Sequence, residues 1–198
     1  MSSYAIIQDT SHELRRRIFG ALASAPDADF GLSSPEEDIT FSLPSADLQG
    51  NPRLSLYLYR IEPDGHLRNQ YPLADGAAGL RRPPLTVQLH YLVTPLDEDD
   101  DTNHLIVGCI LQHFHDDPFL SSINGTPLGT SFGGASDRLS VVLEPISTEE
   151  LSRIWSVNDG GFRLSIGYLV RTVAIDSATG VTDARRVVDA HIAVGVKS

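Results

Sequence analysis

Cysteine is nearly absent from this chain. Cys109 stands alone among 198 residues, so no internal disulfide can form. Its place in an apolar helical run makes it a small core residue. Lysine is nearly absent too: Lys197 accompanies fourteen arginines. That skew is read as GC-rich coding, although the planar guanidinium also suits interfaces. No apolar run approaches the roughly 20 residues of a membrane-spanning helix. The opening MSSYAIIQDTSHELRRR has no basic stretch followed by an apolar one, so no secretory signal is expected and synthesis is placed in the cytoplasm. Basic charge is scarce overall. With 26 acidic against 15 basic residues the net charge is −11. Phosphate contact needs a basic face, so a nucleic-acid partner is not expected. There is no G-x-S-x-G elbow, no Walker loop and no G-x-G-x-x-G.

The 41% of hydrophobic residues is enough for a sizeable core in one domain. Two patterns organise it. Period-two alternation marks strands at Leu54–Ile61, Leu85–Val93, Leu139–Leu143 and Phe162–Ile175, with shorter ones at Ile39–Leu43 and Val188–Val196. Three-and-four spacing marks helices at Tyr4–Ala23 and Leu105–Phe114. Arg15, Arg16 and Arg17 are expected on the polar side of the first. The acidic run Asp97–Asp101 precedes the second, where an Asp or Thr102 can cap it, and Pro118 ends it. Ser147 and Glu150 have capping-box spacing before Leu151, Ile154 and Trp155. Residues 121–136 are read as a Gly-rich loop. The resulting order, α-β-β-β-α-β-α-β-β, implies an α+β domain: one mainly antiparallel sheet with segregated helices.

Candidate chemistry is thin. His113, His115 and Asp116 cluster near Asp117, with His104 upstream. Histidines two apart diverge on a helix, so a shared metal ion is not expected. The Asp97–Asp101 run lacks the spaced ligands and the Gly of a Ca²⁺ loop. His90 is read as a hydrogen-bonded sheet residue. Gly129–Gly134 follows no strand and opens no helix, so it cradles no phosphate. No cofactor and no catalytic residue is assigned.

Several blocks in order carry a resemblance. They are LSLYLYRIEPDGHLRN (Leu54–Asn69), LRRPPLTVQLHYLVTP (Leu80–Pro95), LQHFHDDPFL (Leu111–Leu120), LSVVLEPISTEELSRIWSV (Leu139–Val157) and FRLSIGYLVRTVAI (Phe162–Ile175). Together the chain resembles the cap, or tail-terminator, proteins of extracellular contractile injection systems. These are phage-tail-like particles of the antifeeding-prophage type. The resemblance implies a structural protein and not an enzyme. It implies a homo-oligomeric ring of six on the distal end of the inner tube, contacting tube and sheath proteins, with no direct membrane insertion. The chain is expected in the cytoplasm on synthesis and then as a component of the assembled particle, extracellular after release. The longer members carry further C-terminal sequence, whereas here little follows Ser177. Residues 1–182 are therefore read as the cap domain and 183–198 as a strand-like tail. Two other readings stand beside this one: a small enzyme using His113–Asp117, and a transient cytosolic assembly factor.

Interface residues are expected in two places. The connection from Glu62 to Pro84 exceeds the roughly 12–15 residues beyond which structureless loops are usually functional or disordered. It carries Arg68, Tyr71, Arg81 and Arg82, of types enriched at interfaces. The tail carries Val188, Ile192 and Val194 on one alternating face, which needs cover from a partner or from its own sheet.

Overall fold

The computed structural model describes residues 3–44, 48–65, 73–75, 79–128, 138–156, 161–177 and 182–183. Its centre is a six-stranded sheet in the order β1-β2-β5-β10-β9-β6. The strands are β1 (Ile39–Thr40), β2 (Leu54–Pro63), β5 (Leu85–Pro95), β6 (Phe119–Leu120), β9 (Leu139–Glu144) and β10 (Ile166–Ile175). Only the β1–β2 pair is parallel; the other four are antiparallel. The α+β architecture with a mainly antiparallel sheet is therefore the one the alternation implied.

Helix α1 (Ile6–Ala23) buries Ile6, Leu14, Ile18 and Leu22, and α3 (Asp100–Asp116) buries Ile106, Ile110 and Phe114. These meet Leu56, Val87, Leu89, Tyr91, Val93, Val141, Tyr168 and Val170 from one face of the sheet in a single core. The Tyr91 hydroxyl crosses that core to Ser11 Oγ at 2.8 Å, which satisfies it away from water. Asp99 caps α3 by accepting the Thr102 hydroxyl at 2.7 Å and the Thr102 N–H at 2.9 Å, and the hydroxyl bond, followed by the N–H bond, holds its carboxyl below the usual range. The short α4 (Thr148–Ser156) covers the opposite face. Ser147 Oγ accepts the Glu150 N–H at 3.1 Å, as the capping box requires.

Two bulges set the register. Leu58 pairs with Tyr91 but Arg60 pairs with His90, so Tyr59 is an extra residue in β2. Because side chains alternate, one extra residue swaps the faces beyond it. Leu54, Leu56 and Leu58 face the helices before the bulge; Ile61 does so after it, and Arg60 turns to the other side. A second bulge, between Val170 and Val173, does the same in β10.

Four sequence expectations need correction, and one short helix is new. The strand expected from Phe162 begins at Ile166, and Phe162 and Leu164 are exposed. β1 stops at Thr40, where the chain turns before reaching Leu43. A helical turn, α2 (Pro35–Asp38), follows the N-cap Ser34, whose hydroxyl accepts the Glu37 N–H. Of the three arginines, Arg15 is buried: it donates to Glu36 at 2.8 Å and stacks on Phe41. The Gly-rich stretch opens with a hairpin, β7 (Ser122–Ile123) and β8 (Thr126–Pro127), turned by Asn124 and Gly125 at φ 51° and 75°. Two successive positive φ values are what an Asn-Gly hairpin turn supplies. Among the described residues no helix is long and apolar enough to cross a membrane.

Candidate interface surfaces

The first surface is a polar cluster on the α4 side of the sheet. The β2 bulge delivers Arg60 there beside His90, and β9 delivers Glu144. His90 is 2% exposed. Its Nδ1 lies 2.8 Å from Glu144 Oε2. The same Nδ1 lies 3.1 Å from an Arg60 guanidinium nitrogen. Arg60 donates to Glu150 of α4 at 3.1 Å and lies 3.4 Å from both Glu144 and Glu62. Tyr59, the bulged residue, donates its hydroxyl to Glu144 at 3.3 Å; burial, followed by the charge of Glu144, pushes its ionisation up. The arrangement clamps α4 to the sheet. It presents no nucleophile beside a base, and His90 is the hydrogen-bonded sheet residue its alternation suggested.

The second surface is the end of α3. His113 and Asp116 line one groove, with Phe30 and Cys109, while His115 lines another against β9. The two histidines thus diverge, as residues two apart on a helix must. Burial and the Arg17 guanidinium hold His113 below the ordinary imidazole value. Asp117 is engaged by Arg17 at 2.7 Å. Burial raises the Cys109 thiol, the opposite of activation. Among the described residues no group of three His, Cys, Asp or Glu side chains could hold a metal ion.

The third surface comprises the two margins of the main sheet. β1 covers β2 only at Leu54 and Ser55, and β6 covers β9 only at Leu139 and Ser140. No described strand lies beside the rest. The Asp64 N–H donates to Thr86 on β5, so the intervening Ile61 directs its backbone groups outward. The Val141 N–H donates outward to Pro118 at 2.8 Å, so Leu143, two residues on, also directs its groups outward. Ile61 is 48% exposed and Leu143 53%. Beside Leu143 runs a groove of about 620 Å³, walled by Leu111, Phe114, Pro118 and Tyr168. Alternation alone could not reveal this margin, because strand order is a tertiary property.

The interface residues expected from sequence are placed only in part. Residues 62–84 are not irregular throughout. β3 (Leu73–Asp75) and β4 (Gly79–Arg81) form a hairpin, and β11 (Thr182–Asp183) pairs with β4. Three-residue strands are too short to show a period, which is why the sequence reads as a loop. Arg81 is the last residue of β4, and Arg82, exposed, follows it toward β5. β11 spans the 182/183 boundary and brings the start of the tail to this hairpin. Arg68, Tyr71, Val188, Ile192 and Val194 lie outside the described residues.

Comparison with known proteins adds identity to this geometry. No curated protein matches the chain. Its fold is similar to the sheath/tube terminator of the PVC extracellular contractile injection system, solved by cryo-EM in the extended state. The TM-score is 0.63 at 20% identity, covering 97% of this chain and 64% of that one. It is also similar to the anti-feeding prophage cap, a tube-terminating cap, with TM-score 0.57 and 17% identity over 92% of this chain and 61% of that one. The chain thus spans less than two thirds of the length of either. The model of the family described as the Pvc16 N-terminal domain matches residues 10–189, and the chain belongs to that family.

Proposed function

We propose that this member of the Pvc16 N-terminal domain family is a structural assembly protein. In this reading six copies form a ring that caps the distal end of the inner tube and holds the last layer of sheath in a contractile injection particle. The observation that carries the reading is the match of nearly the whole chain to a sheath/tube terminator. The physics is simple. Tube and sheath grow by head-to-tail contacts that do not close, so each end leaves an unsatisfied surface. A ring that fits this surface on one side and water on the other ends growth. That task uses no cofactor and no catalytic group. The chain is made in the cytoplasm and leaves it only as part of the particle. Residues 1–182 act as the cap domain, and the tail, 183–198, adds contacts to neighbours through Val188, Ile192 and Val194.

The connection from Glu62 to Pro84 is an interface element, with Arg68, Tyr71, Arg81 and Arg82 toward tube or sheath. Native mass spectrometry of the chain, alone and released from particles, is expected to give a six-copy ring in at least one setting. A monomer in both would overturn the reading. Arg81→Ala with Arg82→Ala should leave the circular dichroism spectrum unchanged and lower the fraction of capped particles in micrographs. Normal capping by that variant would remove the hairpin from the interface.

A further inference from the structure

We infer that neighbouring copies join edge to edge, the β2 margin of one chain pairing antiparallel with the β9 margin of the next. The inference rests on the proposed ring and names the contact that builds it. Each margin offers outward backbone groups and, on the helix-covered face, one exposed apolar side chain, Ile61 on β2 and Leu143 on β9. Both side chains lie on the helix-covered face, since Ile61 pairs with Leu89 and Leu143 with Tyr168. An open edge is satisfied by another extended strand. A second copy supplies one at the opposite margin of the same sheet.

Charge and proline fix the register. With Ile61 opposite Leu143 in an antiparallel pair, Arg60 stands opposite Glu144 and Glu62 opposite Val142. A parallel pair centred on the same residues sets Glu62 against Glu144, and like charges directly opposite are destabilising. In the antiparallel register Pro63, which has no N–H, meets Val141, whose N–H is already given to Pro118. The match therefore ends where β6 begins to occupy the β9 edge. Ile61 enters the groove beside Leu143, against Phe114 and Tyr168. The two margins are different surfaces, so the contact is head-to-tail and repeats in one direction, as a ring requires.

Distance makes the test specific. Within one chain β2 and β9 are three strand spacings apart, about 14 Å. A disulfide needs Cα atoms within about 7 Å. In a Cys109→Ser background, Ile61→Cys with Leu143→Cys is expected to give a ladder of covalent oligomers on oxidation, and each single variant is not. Leu143→Pro supplies the second arm. The Leu143 N–H faces away from β10, so proline there removes no bond of the internal ladder. That variant should fold, by circular dichroism, and lose the ring. A ring that forms without the Ile61–Leu143 disulfide, a ring that survives Leu143→Pro, or a disulfide within one monomer overturns this contact and leaves the cap reading standing. A chain that stays monomeric both alone and in particles overturns both.

Discussion

Gly167 is the position where one methyl group should do most damage. It sits on β10 opposite Glu144 and Leu92, beneath the segment that leads into α4. A Cβ built there would lie 2.6 Å from Ile146 Cδ1, 2.7 Å from Ile146 Cγ1 and 2.8 Å from the Glu144 carbonyl oxygen. Ile146 can swing aside. The carbonyl belongs to the β9–β10 ladder and moves only if the strand moves. Overpacking of this kind costs about 1–3 kcal/mol. A loosened backbone hydrogen bond adds roughly 0.5–1.5 kcal/mol. Against these, Gly→Ala recovers about 0.4–1 kcal/mol from the unfolded chain. Gly167→Ala should therefore lose about 2 kcal/mol, read as a lower urea midpoint at unchanged slope. Ile146→Ala in the same chain separates the two contacts. It should restore the part due to the side chain and leave the part due to the carbonyl, a positive coupling in a double-mutant cycle. If Gly167→Ala unfolds at the parental midpoint, or if the two substitutions simply add, the steric argument is wrong.

Two further predictions concern titration and burial. His113 has its pKa lowered by burial and by Arg17, so the unfolded chain takes up this proton first as pH falls. Its contribution is complete above the ordinary imidazole value near 6.5 and is lost as pH drops from there through the folded value. His113→Gln should flatten the urea midpoint across that window, leaving assembly unchanged; an unaltered pH slope would refute the assignment. Tyr91→Phe removes a buried hydroxyl bonded to Ser11 and should cost about 1 kcal/mol in the same assay. Adding Ser11→Ala to it should cost less than the sum of the two, and full additivity would show that the bond contributes nothing.

What the sequence made legible is what short-range physics controls. Alternation in Leu85–Val93 aims Val87, Leu89, Tyr91 and Val93 at the helix-covered core, although in this central strand Thr86, His90 and Leu92 on the other face are buried too, and the spacing of Ile106, Ile110 and Phe114 marks the buried face of α3. The Ser147 and Asp97–Asp101 capping signals are side-chain chemistry within a turn, and each caps its helix. Misreadings arose where a signal was too short or had a second meaning. Asn124-Gly125 is a hairpin turn, but it sits inside a longer glycine-rich stretch that masks it. Phe162 and Leu164 keep the period of β10, yet no described strand pairs with them, so the alternation continues past the sheet. Arg15 looks polar from its neighbours and is buried because Phe41 and Glu36 arrive from elsewhere in the chain.

The β2 bulge joins the two surfaces that matter most here. In LSLYLYRIEP the apolar period runs Leu54, Leu56, Leu58 and then resumes at Ile61, one residue out of step. That slip is visible in the sequence, and the structure gives its consequence. Without Tyr59 as an extra residue, Arg60 would turn toward the helices, away from Glu144 and Glu150, and Ile61 would turn toward His90. With it, Arg60 reaches Glu144 and Glu150 and fixes α4 to the sheet. Ile61 comes to the helix-side margin, level with Leu89. The same inserted residue therefore secures one face of the chain and exposes, at its rim, the apolar side chain that the proposed edge-to-edge contact uses. The proposed cap needs a rigid body and a directional edge, and a single bulge contributes to both.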